Sequence, residues 1–434
     1  MNYVVIILIG ALASILANRG IAVFNDGFRP IIPQYFDGMI NRKELATLSF
    51  AISFGLVIGF GIPTSIAATI ILIHCLLLTT DIIGVWCPDN MKGTIIAGVI
   101  GGIYGLLILV GLEVLVKLFG YLPYNFLSNL GSVSSFVTVA FAIFPAVAIT
   151  YQHGLKKGSI AGSVTVLMYF LIKRFGTFSM GEYSVTLSAE GLSMLVGTVL
   201  MIIFAAQVKG DGNANASLTE VFSEKLARIR KNWPILAVMG GLIACATSLA
   251  IVAGDPISLA LLAESSYGEA TIAALARAIG FVPLVFTTAI VTGVYAPAGC
   301  TFVFVIGLAF HGNPIVAFIL GAVVIVVELL FINVFAKGMD RFPGVKEMGE
   351  HIRTSMNKVL ELALLVGAVS AAEAMAKGAA GLSGVGAMFV LGCVLLNRKA
   401  KKPIVELAVG PVACIAFGIL LNILVALGIC VIPV

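Results

Sequence analysis

An all-helical, polytopic membrane protein is the fold class that the sequence predicts, and three observations predict it. The chain of 434 residues is 60% hydrophobic and only 11% charged, whereas soluble chains run near ~45–50% apolar and about 25% charged. Its mean hydropathy is +1.11. The apolar residues are gathered into runs near the ~20 residues that a helix needs to cross hydrocarbon. Those runs absorb most of the chain and leave no room for a soluble catalytic domain.

Taken in order, the candidate spans are 3–18, 46–61, 64–80, 93–118, 134–152, 159–172 and 191–207, then 234–253, 269–292, 299–311, 314–336, 359–376, 381–397 and 404–430. The first has no basic region before it and no clear cleavage site after it, so it reads as a retained helix rather than a signal peptide. Gly61 and Pro63 end the second span, Thr64 caps the third, and Asp81 closes it after Thr79-Thr80. The fourth carries the glycines of GVIGGIYG, residues 98 to 105, where small side chains let helices approach closely. The runs 159–172 and 299–311 fall short of a full crossing, so half-helices or re-entrant arms are expected there. About 10–14 crossings follow from the ~20-residue rule.

Lys and Arg collect on the cytoplasmic side of spanning proteins. With the 19–45 loop cytoplasmic and every run crossing, basic residues divide 21 to 4 in favour of the cytoplasm. Both termini then face outward and the number of crossings is even. The excess of 26 basic over 21 acidic residues needs no nucleic-acid partner, because cytoplasmic loops account for it. The seven cysteines are scattered without a CxxC or Cys/His cluster, so neither a metal site nor a disulfide framework is expected.

Residues 208–233 begin as a Gly/Asn stretch and end as a short basic helix. They read as a cytoplasmic linker between an N-terminal membrane half, 1–207, and a C-terminal half, 234–434. A two-half repeat is compatible with this division and common in transporters. One faint internal match sets Val23-Phe24, Gly27, Arg29 and Pro30 beside Val334-Phe335, Gly338, Arg341 and Pro343.

Enzyme signatures are missing: there is no Walker A loop and no HExxH, so neither ATP hydrolysis nor zinc chemistry is indicated. Charge inside hydrocarbon is costly and usually functional, which singles out Glu328 in VVIVVELLF and Arg277 in AALARAIGFVPL. Glu328 is the candidate ion-coupling carboxylate, for a proton or sodium ion, and Arg277 is a counter-ion for it or for an anionic substrate. Glu113 with Lys117, and Glu373 with Lys377, have the spacing of local helical pairs, and His74 reads as a packed neutral ring. Helix breaks are the second signal, since half-helix ends expose unpaired amides and carbonyls. Gly280 to Pro283 and Gly293 to Gly299 interrupt one apolar stretch twice. With Arg277, the residues Thr287, Thr288, Thr292 and Tyr295 there make a candidate substrate site. Asp26 and Arg29, in the turn-forming segment Asn25 to Pro30, are candidate gate residues and mutual partners, with Asp81 a further structural polar residue.

The stretches AVFNDGFRPIIPQ at 22–34 with Asn41-Arg42-Lys43-Glu44, GFVPLVFTTAIVTGVYAPAGCTFVF at 280–304, LGAVVIVVE at 320–328 and LALLVGAV at 362–369 resemble the YhfT family of bacterial inner-membrane proteins. That resemblance extends over essentially the whole chain. It implies transport and an inner-membrane location, without implying a substrate or a set of site residues.

The expected function is therefore a multi-pass transporter for a small polar or anionic metabolite, coupled to H+ or Na+ and working by alternating access, with no cofactor and no enzymatic activity. The alternative is a phosphotransferase-type, EIIC-like sugar channel that depends on separate phosphocarriers. An intramembrane protease is disfavoured, because the carboxylates lack GxGD-type surroundings. Expected partners are the lipid bilayer, the small-molecule substrate and a second copy in a homodimer.

Overall fold

The computed structural model describes residues 1–28, 31–180, 183–208, 216–297, 299, 301–339, 343–401 and 403–430. Nine helices among them are long and apolar enough to cross a membrane, and three shorter apolar helices accompany them. In chain order the first half holds α1 (Asn2–Asn18), α2 (Ile32–Phe36), α3 (Arg42–Leu56), α4 (Ile62–Ala68), the two-residue strand β1 (Ile71–Leu72), α5 (Ile73–Trp86), α6 (Met91–Tyr121), α7 (Leu127–His153) and α8 (Leu155–Phe175). A hairpin, β2 (Thr177–Met180) and β3 (Tyr183–Thr186), leads to α9 (Ala189–Ala206). After the connecting α10 (Ala216–Lys231), the second half holds α11 (Trp233–Ser248), β4 (Val252–Ala253), α12 (Pro256–Ala263), α13 (Tyr267–Thr292), α14 (Phe302–Ala309), α15 (Pro314–Met339), α16 (Pro343–Ala380), α17 (Val385–Lys399) and α18 (Glu406–Ala426).

Local chemistry sets several of these boundaries. Asn41 opens α3 with a capping box: its side chain accepts from Glu44 N at 3.0 Å while Glu44 accepts from Asn41 N at 2.8 Å, so two orphan amides are satisfied at once. Asp255 caps α12 by accepting from Ser258 N at 2.8 Å, with Pro256 following it, the position where a missing N–H costs nothing.

The expected break between Gly59 and Ser65 is not one. Leu56 passes through a single π-turn, Val57–Gly61, into α4, so residues 42–68 form one continuous apolar helix. The chain breaks later, at Thr69, whose φ is 58°. Asp81 does not close a helix either but lies inside α5. Pro283 is likewise absorbed within α13, since in a buried helix neighbouring groups can take up the freed carbonyl, and only the break after Thr292 is real. The run at 159–172 belongs to a 21-residue helix, α8, long enough to cross, whereas α14, with 8 residues, is the expected half-helix.

The two halves repeat the same order of elements. The segment after α1 corresponds to β4 after α11, α2 to α12, α3–α4 to α13, β1 to the segment at Tyr295, and α5 through α9 to α14 through α18. Packing repeats with it: α1 lies on α5 and α6 as α11 lies on α14 and α15. One register carries Gly10 to Gly240, Ser14 to Ala244 and Asn18 to Ser248. A Cβ on Gly101 of α6 would run into Gly10 O and Ser14, and one on Gly321 of α15 into Gly240 O and Ala244, so backbone contact between small residues closes the same crossing twice. Asn18, ending α1, donates to Gly84 O at 2.9 Å at the end of α5, and Ser248, ending α11, donates to Phe310 O at 2.6 Å at the end of α14. The faint match of Val23–Pro30 with Val334–Pro343 is not this repeat, because 334–339 ends α15 whereas 23–28 follows α1.

The halves are also inverted. Arg228 of α10, shortly before α11 begins, donates to Gly20 O at 3.0 Å, shortly after α1 ends. Helix α11 thus starts on the face where α1 finishes, and the two run in opposite senses. The contacts between halves are crosswise: Ile71↔Val252 and Leu72↔Ala253 pair as parallel strands, and Ala22↔Tyr295 forms a parallel bridge. Helices α7 and α16, equivalent in the repeat, pack against each other.

Candidate functional site

Two interrupted segments meet at the Ala22↔Tyr295 bridge. Val23 N donates to Tyr295 O at 2.9 Å and Tyr295 N to Ile21 O at 3.2 Å. Each segment is held from behind by a buried carboxylate. Asp81 of α5 accepts from Phe24 N at 2.9 Å and Asn25 N at 2.8 Å. Glu328 of α15 accepts from the Tyr295 hydroxyl at 2.5 Å, and a Cβ on Gly299, whose φ is +59°, would collide with the Glu328 carboxyl. Extended backbone alternates its side chains, so Tyr295 faces Glu328 while Val294 and Ala296 face the opposite way, into a cavity.

That cavity, of about 120 Å³, lies between the two segments, α5, α13 and α16. His74, in the first turn of α5, lines it, as does Thr301, immediately before α14. Two helices therefore begin beside one space, each with the positive end of its dipole there. Thr301 holds a φ of 70°, a conformation that a β-branched residue seldom adopts and that collects at ligand sites.

Arg277 of α13 contributes the charge. It is 3% exposed, stacks 4.8 Å from the Phe281 ring centroid, and makes no ion pair or hydrogen bond among the described residues; its Nε is buried without a partner. Thr288 Oγ1, Thr301 Oγ1 and His74 Nδ1 are buried and unpartnered as well, and all three residues line the cavity. Buried polar groups are almost always hydrogen-bonded, so four such atoms around one space describe a site built for a polar ligand. Among the described residues no Asp or Glu lines it. Arg353 also lines the cavity, but its guanidinium is bound to Glu350, with Nε to Oε2 at 3.2 Å.

Of the residues singled out in the sequence, Arg277 and Thr288 line the cavity. Thr287 donates to Pro283 O at 2.7 Å within its own helix, and Thr292 shapes the end of α13 by donating to Thr288 O at 2.7 Å and accepting from Val294 N at 3.1 Å. Tyr295 and Glu328 form the clamp behind the second segment. Arg277 is not the counter-ion of Glu328; the carboxylate whose charge reaches Arg277 is Asp255, which remains outside ion-pair distance. Asp26 lies in a short 3-10 turn, Asp26–Phe28, its side chain is not among those described, and Arg29 lies outside the described residues. Glu113 accepts from Tyr3 at 3.4 Å rather than pairing with Lys117. Lys377 stands 3.8 Å from Glu373, as the spacing predicts.

His74, read as a packed ring, faces the cavity, and Asn25, Thr301 and Asp255 were missed. Asn25 accepts from Gly27 N at 2.8 Å and donates to Ser53 Oγ at 2.9 Å. The same repeat register places it opposite Asp255, which caps α12. Both are Asx residues opening a turn after an extended segment, a signal available in Asn25-Asp26-Gly27 and Asp255-Pro256. Outside the cavity, Arg228 sits 4.2 Å from the Phe36 ring centroid, and burial pushes its guanidinium below its ordinary value.

Fold and site together define a class: a polytopic helical membrane protein of inverted halves, with a small cationic cavity where two interrupted segments cross. Residues 2–430 match the YhfT family, described as a protein of unknown function, and the chain belongs to that family. It is 37% identical over 445 residues, covering 99% of this chain and 98% of the relative, to the uncharacterized protein YhfT of Escherichia coli (strain K12). No solved structure matches the chain.

Proposed function

We propose that the protein is a secondary transporter that carries a small anionic metabolite across the bacterial inner membrane by alternating access. The observation that carries this reading is Arg277, a buried guanidinium with no acceptor among the described residues, facing a cavity beside which two helices also begin. An isolated buried charge is strongly unfavourable, and an anion seated there would supply the missing acceptors. Inverted halves supply the rest of the argument, because rocking one against the other exposes a central site to each side in turn.

Glu328 is the proposed coupling residue, for a proton or sodium ion. Its carboxyl is bound to Tyr295, and the neighbours of Tyr295 in the same segment line the cavity, so a change of charge at Glu328 is transmitted to the cavity wall through one stretch of backbone. Uptake into proteoliposomes under imposed proton or sodium gradients tests the proposal. Anion uptake that is lost in Arg277→Gln supports it, and gradient-driven uptake that survives Glu328→Gln removes that residue from coupling.

A further inference from the structure

We infer that the substrate of this cavity is a short-chain monocarboxylate, an anion with a single charge on an apolar body. The inference rests on the transport reading and narrows it.

Charge fixes the first part. Among the described lining residues, Arg277 is the cation without an acidic partner, Arg353 being bound to Glu350. One guanidinium binds one carboxylate, often through two parallel N–H···O bonds. A dicarboxylate or a phosphate dianion would bring a second charge into a space where no second cation without an acidic partner stands among the described residues.

Hydrogen-bonding capacity favours an acceptor at the charged end of the ligand. The unpartnered Arg277 Nε can only donate, whereas Thr288 Oγ1, Thr301 Oγ1 and His74 Nδ1 can donate or accept. A carboxylate, which only accepts, can take hydrogen bonds from the guanidinium and from both hydroxyls.

Shape fixes the remainder. Phe24, Phe60, Phe141 and Phe281 wall the cavity, with Phe24 and Phe60 each 5.1 Å from the His74 ring by centroid. Such walls suit methylene groups. The cavity volume is about 120 Å³, below the ~300 Å³ at which sites for larger metabolites begin. The geometry thus places a carboxylate between Arg277, the two threonines and the helix N-termini, with a short alkyl chain among the phenylalanines.

Calorimetric titration of the full-length protein in nanodiscs tests this, with butyrate, succinate, glucose and glucose 6-phosphate as probes. Saturable butyrate binding is expected, weakened at least tenfold in Arg277→Gln and less in Arg277→Lys, which retains the charge but not the planar fork. The lysine variant and a size-exclusion profile guard against a folding defect in the glutamine variant. If succinate or glucose 6-phosphate binds more tightly than butyrate and depends on Arg277, the monocarboxylate inference is overturned while anion transport stands. If glucose alone binds, or no probe binds, both are overturned.

Discussion

Removing the Asp81 carboxylate should loosen the wall of the cavity without touching the ligand. Asp81 is 1% exposed and accepts from two backbone amides, Phe24 N and Asn25 N, at 2.9 and 2.8 Å. Asp81→Ala leaves both amides buried and unpaired, and each costs about 1–3 kcal/mol, so about 2–6 kcal/mol of stability should be lost. Asp81→Asn behaves differently. Its amide oxygen, placed where Oδ2 now stands, keeps both amides bonded, but as neutral hydrogen bonds worth about 0.5–1.5 kcal/mol each in place of charge-assisted ones worth about 1.5–3. The loss of about 2–3 kcal/mol for the pair is offset in part because the asparagine carries no charge to desolvate. The alanine variant should therefore melt well below the asparagine variant, and the asparagine variant near the parent, when thermal unfolding is followed by fluorescence in one detergent. Because Phe24 and Asn25 both line the cavity, ligand affinity should fall in the same order. Equal melting of all three proteins, or an asparagine variant less stable than the alanine variant, would refute the assignment of Asp81 as the anchor of the first segment.

Arg277→Gln should reduce initial uptake of a transported anion about tenfold to a hundredfold, the equivalent of one charge-assisted hydrogen bond of about 1.5–3 kcal/mol, while the protein elutes as the parent does; undiminished uptake would remove Arg277 from the site. Tyr295→Phe and Glu328→Gln, measured singly and together, should give a coupling energy of about 1.5–3 kcal/mol in a double-mutant cycle on stability, and additive effects would show that the contact between them contributes nothing. Gly101→Val and Gly321→Val should each destabilise by at least about 1–3 kcal/mol, since each side chain would be driven into the backbone of the facing helix. Gly111→Ala, on α6 with nothing within 4 Å of the added carbon, should melt with the parent; a destabilised Gly111→Ala would show that position, not helix contact, sets these costs.

How far the sequence revealed the fold depended on what each residue reports. Runs of apolar residues report burial in lipid, so the long helices α6, α9 and α15 could be placed within a few residues from composition alone. Breaks were harder, because glycine and proline mark where a helix can be interrupted and not where it is. Gly61 and Pro63 lie in a π-turn that α3 and α4 pass through, and Pro283 is absorbed within α13, whereas the first half breaks at Thr69 to Leu72, where no proline stands. Ile71 and Leu72 form the parallel pair with β4, a partner about two-fifths of the protein's length away along the chain, and pairing at that distance leaves no local signature. Arg277 could be singled out because a lone charge in an apolar run is conspicuous. Its companions were not, since a threonine or histidine in a helix looks alike whether it bonds the preceding turn, as Thr287 does, or faces a cavity, as Thr288 does.

The repeat explains why the cavity lies where it does. In each half an extended segment follows the first helix and another precedes the half-helix, and the two halves pair these crosswise, Ala22 with Tyr295 and Ile71 with Val252. A symmetric protein would have equivalent cavities at both pairings. The sequence has broken that equivalence: Asn25 stands at the first pairing where the register places Asp255 beside the second, and Asp255 spends its carboxylate on Ser258 N and Ser258 Oγ at the start of α12. Asn25 brings no negative charge to the cavity, and among the described residues Arg277 has no partner there. An acid at position 25 would supply an acceptor. Asn25→Asp should therefore place a carboxylate on the wall of the cavity that Arg277 also lines, close the site to anions and abolish uptake. Anion uptake that persists in Asn25→Asp would mean that the bound solute does not need the charge of Arg277, and the site would have to be reassigned.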